Sequence, residues 1–244
     1  AIVVAAVFPS AFFLVAPYTE SLFLATSVWA LVWARRGGWR WAAPLAVYTG
    51  LTRNVGVLLA LALALEAWRQ HREGRAVGGW SLAAVAGAPV GLGLFALYGW
   101  TTWGDLLATV TIQSGWQREF TWPWVTVGRA IDVAVSTPGR YATGYHTLDL
   151  LVIVPVLLAV WWLVRRAPLT YSLYALAHVG VWLAYPFADR PLMSTPRFAL
   201  AVAPVFWAFA VWTRRDSLAP AWWATSAALL GVQALLFVDW YYIF

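Results

Sequence analysis

The 244-residue chain is 62% hydrophobic and only 11% charged, with a mean hydropathy of +0.71. A water-soluble domain carries about a quarter charged residues, so too little polar surface is present here to cover a globule and much of the exterior must face lipid. The net charge of +6 sits on arginines scattered between apolar runs or clustered at their ends, which reads as a topology signal and not as a nucleic-acid face. With no cysteine there is neither a disulfide framework nor a thiolate metal site, and His71, His146 and His178 have no metal-ligand spacing.

The chain starts at Ala1 inside an apolar run that has no charged n-region and no clear cleavage motif, so a signal peptide fits poorly and a truncated start is expected. Residues 1–16 are uncharged and end at Pro17-Tyr18; residues 21–34 follow and run into Arg35, Arg36 and Arg40. Two short apolar pieces, 41–52 and 54–65, flank Arg53 and are closed by Arg69, Arg72 and Arg75. Residues 80–102 form a long uncharged run. A tryptophan-rich, more polar stretch occupies 103–147, with Trp103, Trp116, Trp122, Trp124, Tyr141 and Tyr145, and is expected to lie along the external membrane surface as short amphipathic helices. Apolar runs resume at 150–164, 167–188, 198–213 and 217–238, separated by Arg165-Arg166, by Asp189 to Arg197, and by Arg214-Arg215-Asp216.

The pieces beside Arg53 decide the expected topology. Each is 12 residues, about 18 Å of helix against a hydrocarbon core of about 30 Å. Joined as one span they put the two arginine clusters on opposite sides; folded as a re-entrant hairpin, with Thr52-Arg53-Asn54 at its tip, they put both on the cytoplasmic side. Ten of the 16 arginines then lie inside, five outside, and Arg53 at depth. The expected fold is all-α: a single polytopic transmembrane helical bundle over 1–244, with one re-entrant hairpin and one external loop of short interfacial helices.

No Walker loop, dinucleotide fingerprint, HExxH or nucleophile elbow is present. The candidates are instead polar residues beside or within apolar segments, where they are costly. Glu20, after the Pro17 break, is a candidate carboxylate, and equally a first-turn acid that complements a helix dipole. Arg53, with Thr52 and Asn54, suits a lipid phosphate; the alternative is an arginine that caps carbonyls at a helix break. Arg197, in Ser194-Thr195-Pro196-Arg197-Phe198, either binds phosphate or sugar or anchors a span at the interface. Gln113, Trp116, Arg118, Asp132, Arg140 and His146 are loop candidates for sugar contact or plain solvated residues, and His178 reads as an interhelical residue.

The run FPSAFFLVAPYTESLFLATSVWALVWARRGGWRWAA, continuing to LTRNVGVLLALALALE, resembles the GPI mannosyltransferase 2 family, especially its bacterial members. The later LMSTPRFALAVAPVF is similar to a second motif of that family; together the pieces cover about 80 residues. The resemblance implies a C-type glycosyltransferase of the cell membrane, a hexosyltransferase moving mannose from a polyprenyl-phosphate donor to a lipid or glycan acceptor on the external face. It carries over to Pro17, Tyr18, Glu20, Ser21, Thr52, Arg53, Gly56, Pro196 and Arg197. Enzymes of that architecture keep a catalytic aspartate in the first external loop, which is expected upstream of Ala1. The catalytic base is therefore unassigned, with Glu20 the candidate within the chain. Tyr18, Glu20, Arg53, Asn54, Gln113, Arg118, His146 and Arg197 form the expected substrate-binding set. Arginines can stabilise a phosphate leaving group in place of a general acid, while an acceptor hydroxyl needs a carboxylate base. No cofactor is indicated; a divalent metal is compatible with the chemistry but not called for, and no nucleic-acid partner is expected. The alternatives are a lipid-linked-sugar flippase, although only one broken helix is evident where paired repeats would be expected, or a non-catalytic membrane subunit.

Overall fold

The computed structural model describes residues 1–115, 118–137, 146–214, 217 and 219–239. Trp116, Arg140, Tyr141, Tyr145, Arg215 and Asp216 fall outside that set, as does the side chain of Gln113. All regular structure among the described residues is helical: α1 (Ile2–Ala6), α2 (Glu20–Arg35), α3 (Trp39–Thr52), α4 (Leu59–Arg72), α5 (Gly79–Trp103), α6 (Ala108–Gly115), α7 (Pro123–Ser136), α8 (His146–Arg166), α9 (Leu169–Ala184), α10 (Thr195–Ala199), α11 (Ala203–Trp212) and α12 (Ala219–Val238), with 3-10 turns at Ala11–Leu14 and Asn54–Leu58. Among these, α5, α8 and α12 are long and apolar enough to cross a membrane. Their exposed side chains include Leu94, Leu97, Leu151, Leu158 and Leu235, a surface suited to lipid.

The chain packs as two compact units: one of 1–18, 116–166 and 179–244, the other of 19–115 and 167–178. In the second, α2 descends to a Schellman turn: Gly37 takes φ +81°, Gly37 N–H bonds the Ala34 carbonyl at 2.9 Å and Gly38 N–H that of Trp33 at 2.8 Å. Next, α3 runs back and stops at Arg53, whose backbone is extended (φ −154°, ψ 143°). Gly56 then sits so tightly on the Thr49 carbonyl that any Cβ would overlap it. The chain reverses there, and α4 returns: Gln70 near its end bonds the Ala34 carbonyl at 2.7 Å and accepts from Trp39 Nε1 at 3.2 Å. Both basic turns therefore share one end of this unit, and the tip at Arg53 is level with the start of α2, where Glu20 meets it. A second Schellman turn ends α4: Gly74 takes φ +73°, its N–H bonds His71, and Arg75 N–H bonds Gln70, both at 3.0 Å. Finally α5 packs parallel to α3 through Gly87, Ala88 and Gly91 against Ala43, Ala46, Val47 and Gly50, a small-residue seam that lets the backbones touch.

In the other unit, Phe8 is edge-on to Phe206 at 5.3 Å and stacks on Phe209 at 6.2 Å, tying α1 to α11, while Val152, Val156, Ala159 and Val160 bury the inner face of α8. The run 1–16 does not form the continuous helix expected of a span: α1 stops at Ala6, the chain bends through Pro9, and a 3-10 turn follows. Proline lacks the N–H that a continuing helix needs. The run 198–213 is likewise divided between α10 and α11, with Pro204 at the start of α11. The stretch 103–147 does contain short helices, α6 and α7.

Candidate functional site

Two clusters gather the sequence candidates, one in each unit. In the second unit Glu20 opens α2 and Arg53 closes α3, and Arg53 Nη1 donates to Glu20 Oε1. Glu20 is fully buried, and the Arg53 side chain is 12% exposed. Taking both charges from water costs several kcal/mol each, so the pair holds only as a pair: removing one partner costs about 3–5 kcal/mol. One turn below, Thr49 Oγ1 donates to Thr26 Oγ1 at 3.0 Å, fixing the same α2–α3 face. His178 is fully buried in this unit, with Nδ1 2.9 Å from the Tyr174 carbonyl, so Nδ1 carries the proton, and with its ring edge-on to Phe23 at 6.2 Å. Asn54 opens the 3-10 turn and is exposed.

In the first unit the guanidinium of Arg197 lies over the Tyr18 ring, 4.3 Å from its centroid, and 5.1 Å from that of Phe13. Ser10 Oγ donates to the Pro196 carbonyl at 2.6 Å. The segments FPSAFF and STPRF, 186 residues apart at that bond, are thus held side by side. Ser194, which opens STPRF, is buried at φ +68°, the left-handed region that a residue with a Cβ occupies at a cost of about 1–3 kcal/mol. Arg118 stands 5.8 Å from the Phe198 ring, and burial pulls its guanidinium below the usual arginine range. His146 is not an exposed loop residue: it begins α8, 3% exposed, and its buried Nε2 has no hydrogen-bond partner among the described residues.

Comparison with protein-family models, with curated proteins and with solved structures found no match. Functional assignment therefore rests on the residues themselves.

Two further clusters were not apparent from the sequence. Arg190 forms a forked, buried ion pair with Asp149, Nε to Oδ2 at 2.7 Å and Nη2 to Oδ1 at 2.8 Å, joining the turn before Ser194 to the first turn of α8. The one available signal is that an ionisable residue flanking an apolar run needs a partner; a separation of 41 residues gave no hint of which. At the polar end of α4, Glu66 accepts from Arg35 at 3.0 Å, from Arg69 at 2.5 Å and from Gln70 at 2.9 Å. Burial opposes its ionisation, but the Arg69, Gln70 and Arg35 donors outweigh that and hold its carboxyl below the ordinary range. Among the described residues no group of three metal-ligating side chains occurs.

Proposed function

We propose that this protein is a membrane glycosyltransferase that moves a hexose, mannose by the resemblance of its motifs, from a polyprenyl-phosphate donor to a hydroxyl of a lipid or glycan acceptor. The observation that carries the reading is the buried Glu20–Arg53 pair at the break between α3 and α4. A guanidinium held in place by a buried carboxylate at such a break is a preformed partner for a phosphate. In a single displacement the acceptor oxygen bonds to C1 of the sugar, the C1–phosphate bond breaks, and the acceptor proton passes to a carboxylate base. Arg53 takes the role of stabilising the departing polyprenyl phosphate. Glu20, already engaged as the acceptor for Arg53, is read as the residue that orients it and not as the base. The joined FPSAFF and STPRF segments, with Arg197 over Tyr18, support the same reading from the first unit.

The test is sugar transfer in membranes carrying the protein as its gene encodes it, supplied with radiolabelled polyprenyl-phosphate mannose. Arg53→Lys keeps the positive charge beside Glu20 but loses the planar fork. It should lower transfer at least about tenfold, the value of roughly one hydrogen bond to a charged group, with the melting temperature near that of the unchanged protein. Full transfer by Arg53→Lys, or none by the unchanged protein from any polyprenyl-phosphate hexose, overturns the reading.

A further inference from the structure

The end of the second unit that holds both Schellman turns concentrates charge beyond what topology requires. Six arginines (Arg35, Arg36, Arg40, Arg69, Arg72 and Arg75) meet two carboxylates there, Glu66 and Glu73. Those carboxylates are taken by Arg35 and Arg69. Arg36, Arg40, Arg72 and Arg75 are exposed and make no ion pair among the described residues. The left-handed glycines hold the two turns against each other: a methyl at Gly37 would stand 3.1 Å from the Arg75 guanidinium, so Arg75 lies directly over the α2–α3 turn that carries Arg36.

The level of this rim follows from its neighbours. The 25-residue apolar helix α5 begins at Gly79, four residues after Arg75, so a membrane crossed by α5 has its headgroups at the rim. Trp41 in α3, Trp68 in α4 and Trp80 in α5, each within seven residues of one of the turns, are all more than half exposed, and indole rings favour that depth. Arg40 and Arg72 lie over Trp41 and Trp68, at 5.3 and 5.4 Å, so the cations are supported at the edge of the apolar surface.

We propose that this rim is a binding site for the phosphate headgroup of an anionic phospholipid in the adjoining leaflet, with Arg36 and Arg75 as its centre. Positive-inside topology requires only a count of basic residues. Here two capped turns preassemble uncompensated guanidinium groups, whose forks match phosphate oxygens, at headgroup level. The inference rests on α5 crossing a membrane and is independent of sugar transfer.

The purified full chain in neutral detergent is titrated with phosphatidylglycerol or phosphatidylcholine, and bound lipid is counted by native mass spectrometry. Phosphatidylglycerol should bind more tightly, and the Arg36→Gln/Arg75→Gln double variant should weaken it about thirtyfold, at about 1 kcal/mol per arginine. Arg165→Gln/Arg166→Gln, exposed at the end of α8, should leave it unchanged. Equal binding of phosphatidylcholine, unweakened binding by the double variant, or full competition by inorganic phosphate overturns the proposal, the last by reducing it to a simple anion site. If the glutamine variant does not fold, the unchanged protein decides: phosphatidylglycerol preference that survives high salt undiminished also overturns it.

Discussion

Replacing Gly91 by alanine tests the α3–α5 seam, because two effects of opposite sign act on it. In a helix interior, alanine is favoured over glycine by about 1 kcal/mol. In this structure, however, a methyl at Gly91 would overlap the Val47 carbonyl oxygen and stand 2.9 Å from the Leu51 nitrogen. Both are backbone atoms, so no side chain can rotate away, and the helices must part by more than about 1 Å to restore contact near 3.5 Å. Overpacking costs about 1–3 kcal/mol, and an immovable neighbour puts this site at the upper end. The net expectation is a loss of about 2 kcal/mol, or about 4–8 °C in melting temperature for a chain of this size. Gly93, two residues along the same helix, has nothing near its absent Cβ and supplies the control. Gly93→Ala should be neutral or slightly stabilising. Thermal unfolding of both variants in one detergent, followed by tryptophan fluorescence, reads the difference; Gly91→Ala as stable as Gly93→Ala would refute the close approach of α3 and α5.

Glu66 gives a pH dependence of definite sign. Its folded pKa is depressed, so its contribution is complete above the ordinary carboxylate pKa and is lost as pH falls through the folded value. Melting temperature should therefore fall on acidification, and Glu66→Gln should flatten that part of the profile while lowering stability at neutral pH. The chain reversal at Arg53 has a topological consequence for this cysteine-free protein: single cysteines at Arg40 and Arg75 should label from the same side of the membrane, and one at Thr102, at the far end of α5, from the other. Labelling of Arg40 and Arg75 positions from opposite sides would contradict the reversal.

Composition alone pointed to apolar helices with surfaces suited to lipid, because a chain this poor in charge lacks the polar surface that water demands. Uncharged length located α5, α8 and α12, and the lone arginine between two short runs marked the break between α3 and α4. Local chemistry sufficed in those places: a long apolar run can hide its backbone only as helix, and an arginine inside one interrupts it. Interruptions set by packing were less legible. The runs 1–16 and 198–213 carry no charge, yet prolines and tertiary contacts cut them, Ser10 bonding Pro196 and Phe8 seating on α11. Which charge meets which was decided only by tertiary structure. Glu20 with Arg53, Asp149 with Arg190 and Glu66 with Arg35 are 33, 41 and 31 residues apart. A buried charge announces in sequence that it needs a partner, because the desolvation cost is its own, but the partner is supplied by whichever helix the fold brings alongside.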